Sequence, residues 1–216
     1  MKYLLTLLLF PTVIFSQSEF VKSNHSGINA NAAYFQSDSF QGVGYNFGLS
    51  VHGKIDLGLE YLQGTFDNKN LPFDVSNRGI AVYAGYNIKK KNDTENFKLS
   101  IGYLSNDYSG APNSSGLLFG VRFSKNYYEN KSILFLPSLG LNYSMFFVDD
   151  GNNSHLVESS NAQTIISLSL DLNLVLKISP KFRFLLAPTA SFDMANQEKT
   201  LVWGIVGGII IDFAPY

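Results

Sequence analysis

Residues 165–178 read IISLSLDLNLVLKI, and from Ile166 to Ile178 every second residue is Leu or Ile. The alternate positions hold Ser167, Ser169, Asp171, Asn173, Val175 and Lys177. A helix turns by 100° per residue and would scatter these leucines around its cylinder, whereas a strand gathers them on one side. The stretch is therefore a strand. At about 3.3 Å per residue it spans roughly 45 Å, far beyond an ordinary soluble strand. Something thick and apolar must cover the leucine face, either a protein core or lipid.

The same alternation recurs along the chain in about ten segments. SGINANAAYF (26–35) is the weakest, followed by VGYNFGLSV (43–51), KIDLGLEY (54–61) and RGIAVYAGYNI (78–88). Further segments lie at 97–103, 117–123, 133–145, 165–178, 182–192 and 201–213. No apolar-face position is Lys, Arg, Asp or Glu. The opposite faces are small and polar, as in Gly42, Gly44, Asn46, Gly48 and Ser50, or Ser138, Gly140, Asn142 and Ser144. A soluble barrel turns its apolar face inward and shows water a charged exterior. These second faces hold few charges and suit a narrow interior, so the leucines face lipid. A charge on that face near the midplane costs ~2–4 kcal/mol, which accounts for its absence.

The composition agrees. Only 15% of the 216 residues are charged, the net charge is −1, there is no Cys, and 18 Phe and 12 Tyr are present. Near-neutrality argues against nucleic acid as a partner. The absence of Cys excludes disulfide scaffolds and thiolate metal sites. MKYLLTLLLFPTVIFS (1–16) has Lys2 and then an apolar run to Phe15, too short to span a membrane as a helix but fitting a secretory signal cleaved after Ser16. The expected organisation is a signal peptide over 1–16 and one barrel domain over 17–216.

The expected fold is all-β: a single closed antiparallel transmembrane barrel of about ten strands, with eight possible if the first does not form. Ten returns both termini to one side. Long connections rich in Asn, Asp, Ser and Gly then fall at the outer end, including QGTFDNKNLPFDVSN, SNDYSGAPNSSG and VDDGNNSHLVESSNAQ, and mostly short ones at the periplasmic end. Aromatic girdles are expected at Tyr45, Tyr61, Tyr103, Tyr143, Phe192 and Trp203 outside, and at Tyr86, Phe97, Phe123, Phe182 and Phe213 inside. Pro137 and Pro188 interrupt strands and predict bulges.

GVGYNFGLSVHGKIDLGLEYLQGTF and the tail LVWGIVGGIIIDFAPY resemble the small outer-membrane β-barrel proteins of Gram-negative bacteria, the broad porin-like and OmpA-like group, with a Bacteroidota origin as a further expectation. The resemblance covers the mature chain as a pattern, without a catalytic motif. It implies recognition by the barrel-assembly machinery through the C-terminal strand. Phe213, with Ile211, Ile209 and Ile205 before it, fits that signal, whereas Tyr216 lies in the opposite frame behind Pro215.

The inward-facing charges are the candidate site residues: Asp56, Glu60, Asp171 and Asp212 against Lys98, Arg122, Lys177 and Arg183. Buried charges persist when paired, and Lys177, Arg183 and Asp212 fall on three consecutive strands near the periplasmic end, where they could pair directly. One role for such a network is a salt-bridged plug; the other is a polar channel whose selectivity it sets. His155, with Asp149, Asp150 and Ser154, has the residue types for base catalysis or a hard cation, but no recognised spacing. His25 and His52 read as ordinary polar positions. No catalytic, cofactor or metal residue is expected. The sequence points to a monomeric integral barrel in the bacterial outer membrane, contacting its lipid, with a structural, surface-interaction or narrow-pore role. The rivals are a soluble periplasmic lipid-binding barrel and a rim hydrolase.

Overall fold

In a computed structural model the described residues are 20–66, 75–90, 93–109, 113–148, 162–194 and 200–213. They form β1 (Ser26–Gln36), β2 (Phe40–Val51), β3 (Ile55–Phe66), β4 (Val75–Lys89), β5 (Glu95–Tyr108), β6 (Ser114–Lys125), β7 (Tyr128–Glu129), β8 (Ile133–Val148), β9 (Ala162–Lys177), β10 (Phe182–Asp193) and β11 (Leu201–Phe213). Each long strand pairs antiparallel with its sequence neighbours, and β1 pairs with β11 from Ser26↔Phe213 to Gln36↔Trp203. The weak first segment thus closes a ten-stave barrel, in which β7 is a two-residue continuation of β6. Closure leaves no unpaired edge, the condition for backbone to lie in hydrocarbon.

The registers advance by roughly a dozen residues per circuit, which tilts the staves by about 40°. The inner end gathers Ser26, Phe213 and the connections β2–β3, β4–β5, β6–β8 and β9–β10. The connection between β2 and β3 is a three-residue loop, His52 to Lys54, built on a tight turn: His52 and Gly53 both take positive φ, 52° and 61°, and Lys54 N–H donates to the Val51 carbonyl at 3.0 Å. Those signs belong to the primed turn that matches strand twist.

Burial alternates strictly along the staves. In β9, Leu168, Leu170, Leu172 and Leu176 are exposed, Leu170 at 46%, while Ser167, Ser169, Asp171, Asn173 and Val175 are buried. The same holds around the circumference, so the exterior is a continuous belt of Leu, Ile, Val, Phe and Tyr. Soluble monomers rarely expose a contiguous apolar patch larger than roughly a few hundred Å².

The prolines behave differently from each other. Between Ser124↔Ser138 and Tyr128↔Phe135 the register slips by one, so the stave opposite Pro137 carries an extra residue, a bulge on its partner strand. Pro188 makes no bulge. The β9–β10 ladder lapses between Leu186↔Leu174 and Thr189↔Asp171 and resumes in the same register, because a missing donor opens a ladder without requiring an extra residue.

The interior also departs from the small, polar lining that the sequence implied. Phe35, Phe40, Leu62, Phe66, Val75 and Tyr108 pack inside near the outer end, and a second apolar cluster joins Ala81, Tyr83, Leu104, Leu118, Phe146 and Ile165. Glycines supply the room. The Phe40 ring lies across Gly42 and Gly64, and the Tyr83 ring across Gly58, where any Cβ would collide with it.

Candidate functional site

The barrel interior carries the polar chemistry, and its arrangement follows from the register. Asp56 on β3 stands opposite Gly85 of β4, and Lys98 of the next stave, β5, extends over that glycine to place Nζ 2.8 Å from Asp56 Oδ2. Asn87 Nδ2 donates to the same oxygen at 3.1 Å, and the ammonium sits 5.5 Å from the Tyr83 ring centroid. Arg122 of β6 stands opposite Gly140 of β8 and reaches past it to Asp171 on β9, at 2.7 Å. Thr189 Oγ1 and Ser138 Oγ donate to the same carboxylate at 2.5 and 3.3 Å. In both pairs a long cation crosses a whole stave, which is possible only because the inward position between is glycine. The third pair joins neighbouring staves: Arg183 on β10 meets Asp212 on β11 at 2.6 Å.

The other two expected members stand apart. Glu60 is 2% exposed and its Oε1 has no hydrogen-bond partner, since each cation deep in the interior is held by another carboxylate. Lys177 does not join Arg183 and Asp212. It bonds Glu129 of β7 at 2.5 Å and the Asn130 carbonyl at 2.9 Å, because the β6–β7 continuation brings a carboxylate to the end of β9. Burial pushes the Glu129 carboxyl up, but hydrogen bonds from Lys177 and Asn126 and the charges of Lys177 and Lys22 outweigh it and hold it below the usual carboxylate range.

The residues preceding β1 close the inner mouth, an element that strand periodicity did not reveal. Phe20 and Val21 are buried inside the barrel. Arg183 Nη1 donates to the Phe20 carbonyl and Lys89 Nζ to that of Val21. His25 Nδ1 lies 2.8 Å from Asp212 Oδ1, and Ser23 bonds Asp93 through both its amide and its hydroxyl. Beside Phe20, Arg122 and Asp171 a cavity of only about 10 Å³ remains, room for about one water molecule.

On the outer wall, Tyr45, Tyr61, Tyr103, Tyr143, Phe192, Trp203, Tyr86, Phe97, Phe123, Phe182 and Phe213 all occupy outward positions. Tyr45 stacks on Tyr61 with centroids 6.5 Å apart, and Trp203 meets Tyr34 edge-on at 6.5 Å. Residues 1–16, expected to be a signal peptide, and Asp149, Asp150, Ser154, His155 and Tyr216 lie outside the described residues. Among the described residues no group of three or more His, Cys, Asp or Glu could hold a metal ion.

No protein-family model and no curated protein sequence matches the chain. Solved structures do. The translocator domain of autotransporter NalP from Neisseria meningitidis aligns with TM-score 0.54 and 13% identity, over 92% of this chain and 91% of that one. The β domain of the Bordetella autotransporter Brka gives 0.53 and 12%, over 89% and 100%. Neisserial surface protein A aligns at 0.43 and 13%, over 87% and 97%. At such identities the likeness is one of fold. This chain is a closed ten-stave antiparallel barrel with an apolar outer wall. The comparisons give no sign of a Bacteroidota origin.

Proposed function

We propose that this barrel is a sealed, non-conducting outer-membrane protein with a structural or surface-interaction role, and that the interior ion pairs are its plug. The observation that carries this reading is the packed lumen: three buried ion pairs, apolar clusters and Phe20 in the inner mouth occupy the interior among the described residues. The same filling speaks against a lipid carrier, which needs an interior cavity. The apolar exterior speaks against a soluble one. In this reading the inner end faces the periplasm, the leader over 1–16 directs export, and Ile205, Ile209, Ile211 and Phe213 of the closing strand are what the assembly machinery reads. The barrel works as a monomer without catalysis or cofactor. Purified protein in planar bilayers is expected to show no steady conductance. A stable open level in single-channel records refutes the plug.

A further inference from the structure

We infer that the inner rim is a docking surface for anionic phospholipid headgroups of the leaflet it faces. The inference rests on the reading that this end faces the periplasm. Each of the four hairpin connections at that end carries an exposed lysine: Lys54 before β3, Lys90 after β4, Lys125 and Lys131 on either side of β7, and Lys181 before β10. The carboxylates nearby are already engaged. Asp93 is bonded by Ser23, Glu95 by Lys90 at 3.0 Å, and Glu129 by Lys177. Lys54, Lys125, Lys131 and Lys181 have no carboxylate partner among the described residues. The outer rim has no such excess, its exposed described charges being Asp38, Asp107 and Arg78.

A second observation selects lipid over a soluble polyanion. Apolar side chains project among these lysines, beyond the ends of the staves: Ile178 is 68% exposed and Tyr127 75%, with Tyr128 beside it. In bulk water they would be stranded. At the boundary between headgroups and acyl chains, Ile178 meets hydrocarbon and each tyrosine keeps its hydroxyl wet. Lys125 follows Phe123 on the lipid-facing side of β6, so its methylenes run down the wall and its ammonium reaches phosphate level. Cations ring one rim and apolar groups project among them at two of its four connections, and an anionic phospholipid satisfies both. A cell-wall polyanion satisfies only the first.

The test uses the full-length mature protein in detergent, titrated with phosphatidylglycerol or phosphatidylcholine and followed by lipid retention in native mass spectrometry. Retention of phosphatidylglycerol is expected to exceed that of phosphatidylcholine, to weaken with salt, and to fall by about fivefold for each lysine removed among Lys54→Gln, Lys125→Gln, Lys131→Gln and Lys181→Gln. The heat-dependent gel shift of each variant verifies folding. If the combined variant fails to fold, the salt titration of the unaltered protein and the single variants still decide. Equal retention of both lipids, or a preference untouched by the substitutions, overturns the inference, as does lysine-dependent pelleting with purified peptidoglycan without lipid selectivity. Protease access to the Tyr127–Lys131 turn in intact cells separates an inverted topology from a failed lipid site.

Discussion

Removing one partner of the Asp56–Lys98 pair should cost far more than removing both. Asp56 is 0% and Lys98 1% exposed, so neither charge can turn to water if the other disappears. At 2.8 Å and an effective dielectric constant of 20, their attraction is about 6 kcal/mol, most of it cancelled by desolvation while both are present. Asp56→Asn keeps shape and volume but strands the ammonium, at an expected cost of about 3–5 kcal/mol. Lys98→Met leaves the buried carboxylate without its ammonium, although Asn87 still donates to it, and should also be destabilising. The double variant leaves an amide beside a thioether and should lie within about 1–2 kcal/mol of the parent, so the coupling energy of the cycle is large and favourable. Urea unfolding from lipid vesicles, followed by Trp203, the only tryptophan, reads all four proteins. Trp203 faces outward and is 49% exposed on the protein itself, so its emission reports loss of lipid contact. Additive effects in the double variant, or single losses below about 1 kcal/mol, would refute the claim that the pair is sealed from water.

Glu60→Gln removes a carboxyl that has no cation, so in the same assay it should be neutral or stabilising, in contrast to Asp56→Asn. Leu170→Arg puts a charge on the lipid-facing wall and should cost about 2–4 kcal/mol at mid-membrane depth, measured as a shift in vesicle unfolding midpoint. Gly58→Ala drives a methyl into the Tyr83 ring, whose hydroxyl accepts a hydrogen bond from Asn46 Nδ2 at 2.9 Å, and should cost about 1–3 kcal/mol; a Gly58→Ala, Tyr83→Leu double variant should recover part of it. The Glu129 carboxyl is held below its ordinary range, so its bridge to Lys177 stabilises the fold above that range and is lost as pH falls through the depressed value. Glu129→Gln should therefore flatten the acid side of the stability profile and leave neutral-to-alkaline pH little changed apart from a constant offset.

The exterior was legible because lipid imposes one rule at every outward position, and a period of two displays it without knowledge of any partner. Stave number and closure followed, even for 26–35, where Ala30 and Ala32 make the alternation faint: that strand exists because β2 and β11 both offer it a ladder. The interior obeys no such rule. Ile165 and Val175 already stood in the polar frame of the stretch that defined the fold, and Val202, Val206 and Ile210 did so on the last strand. They were the visible sign that the lumen is part apolar and packed, obscured because the serines and asparagines between them dominate the count.

Pairing was hidden for a geometric reason. A sequence shows which charges point inward, but which ones meet depends on register summed across staves, and on whether the stave between them is empty at that height. Arg122 reaches Asp171 only because Gly140 sits opposite it, and Lys98 reaches Asp56 only because Gly85 does. Each bridging glycine is thus as much a part of its ion pair as the two charges. This makes a further demand that a purely local view of the pairs does not. Gly85→Leu should break the Lys98 contact while leaving both charges in place, so its cost should match the stranding of a charge rather than the few tenths expected for a bulkier strand residue. Part of that loss should vanish when Lys98 is already methionine. A Gly85→Leu penalty independent of residue 98 would mean that the glycine serves only backbone packing, and that the reach across staves is incidental to how the barrel is sealed.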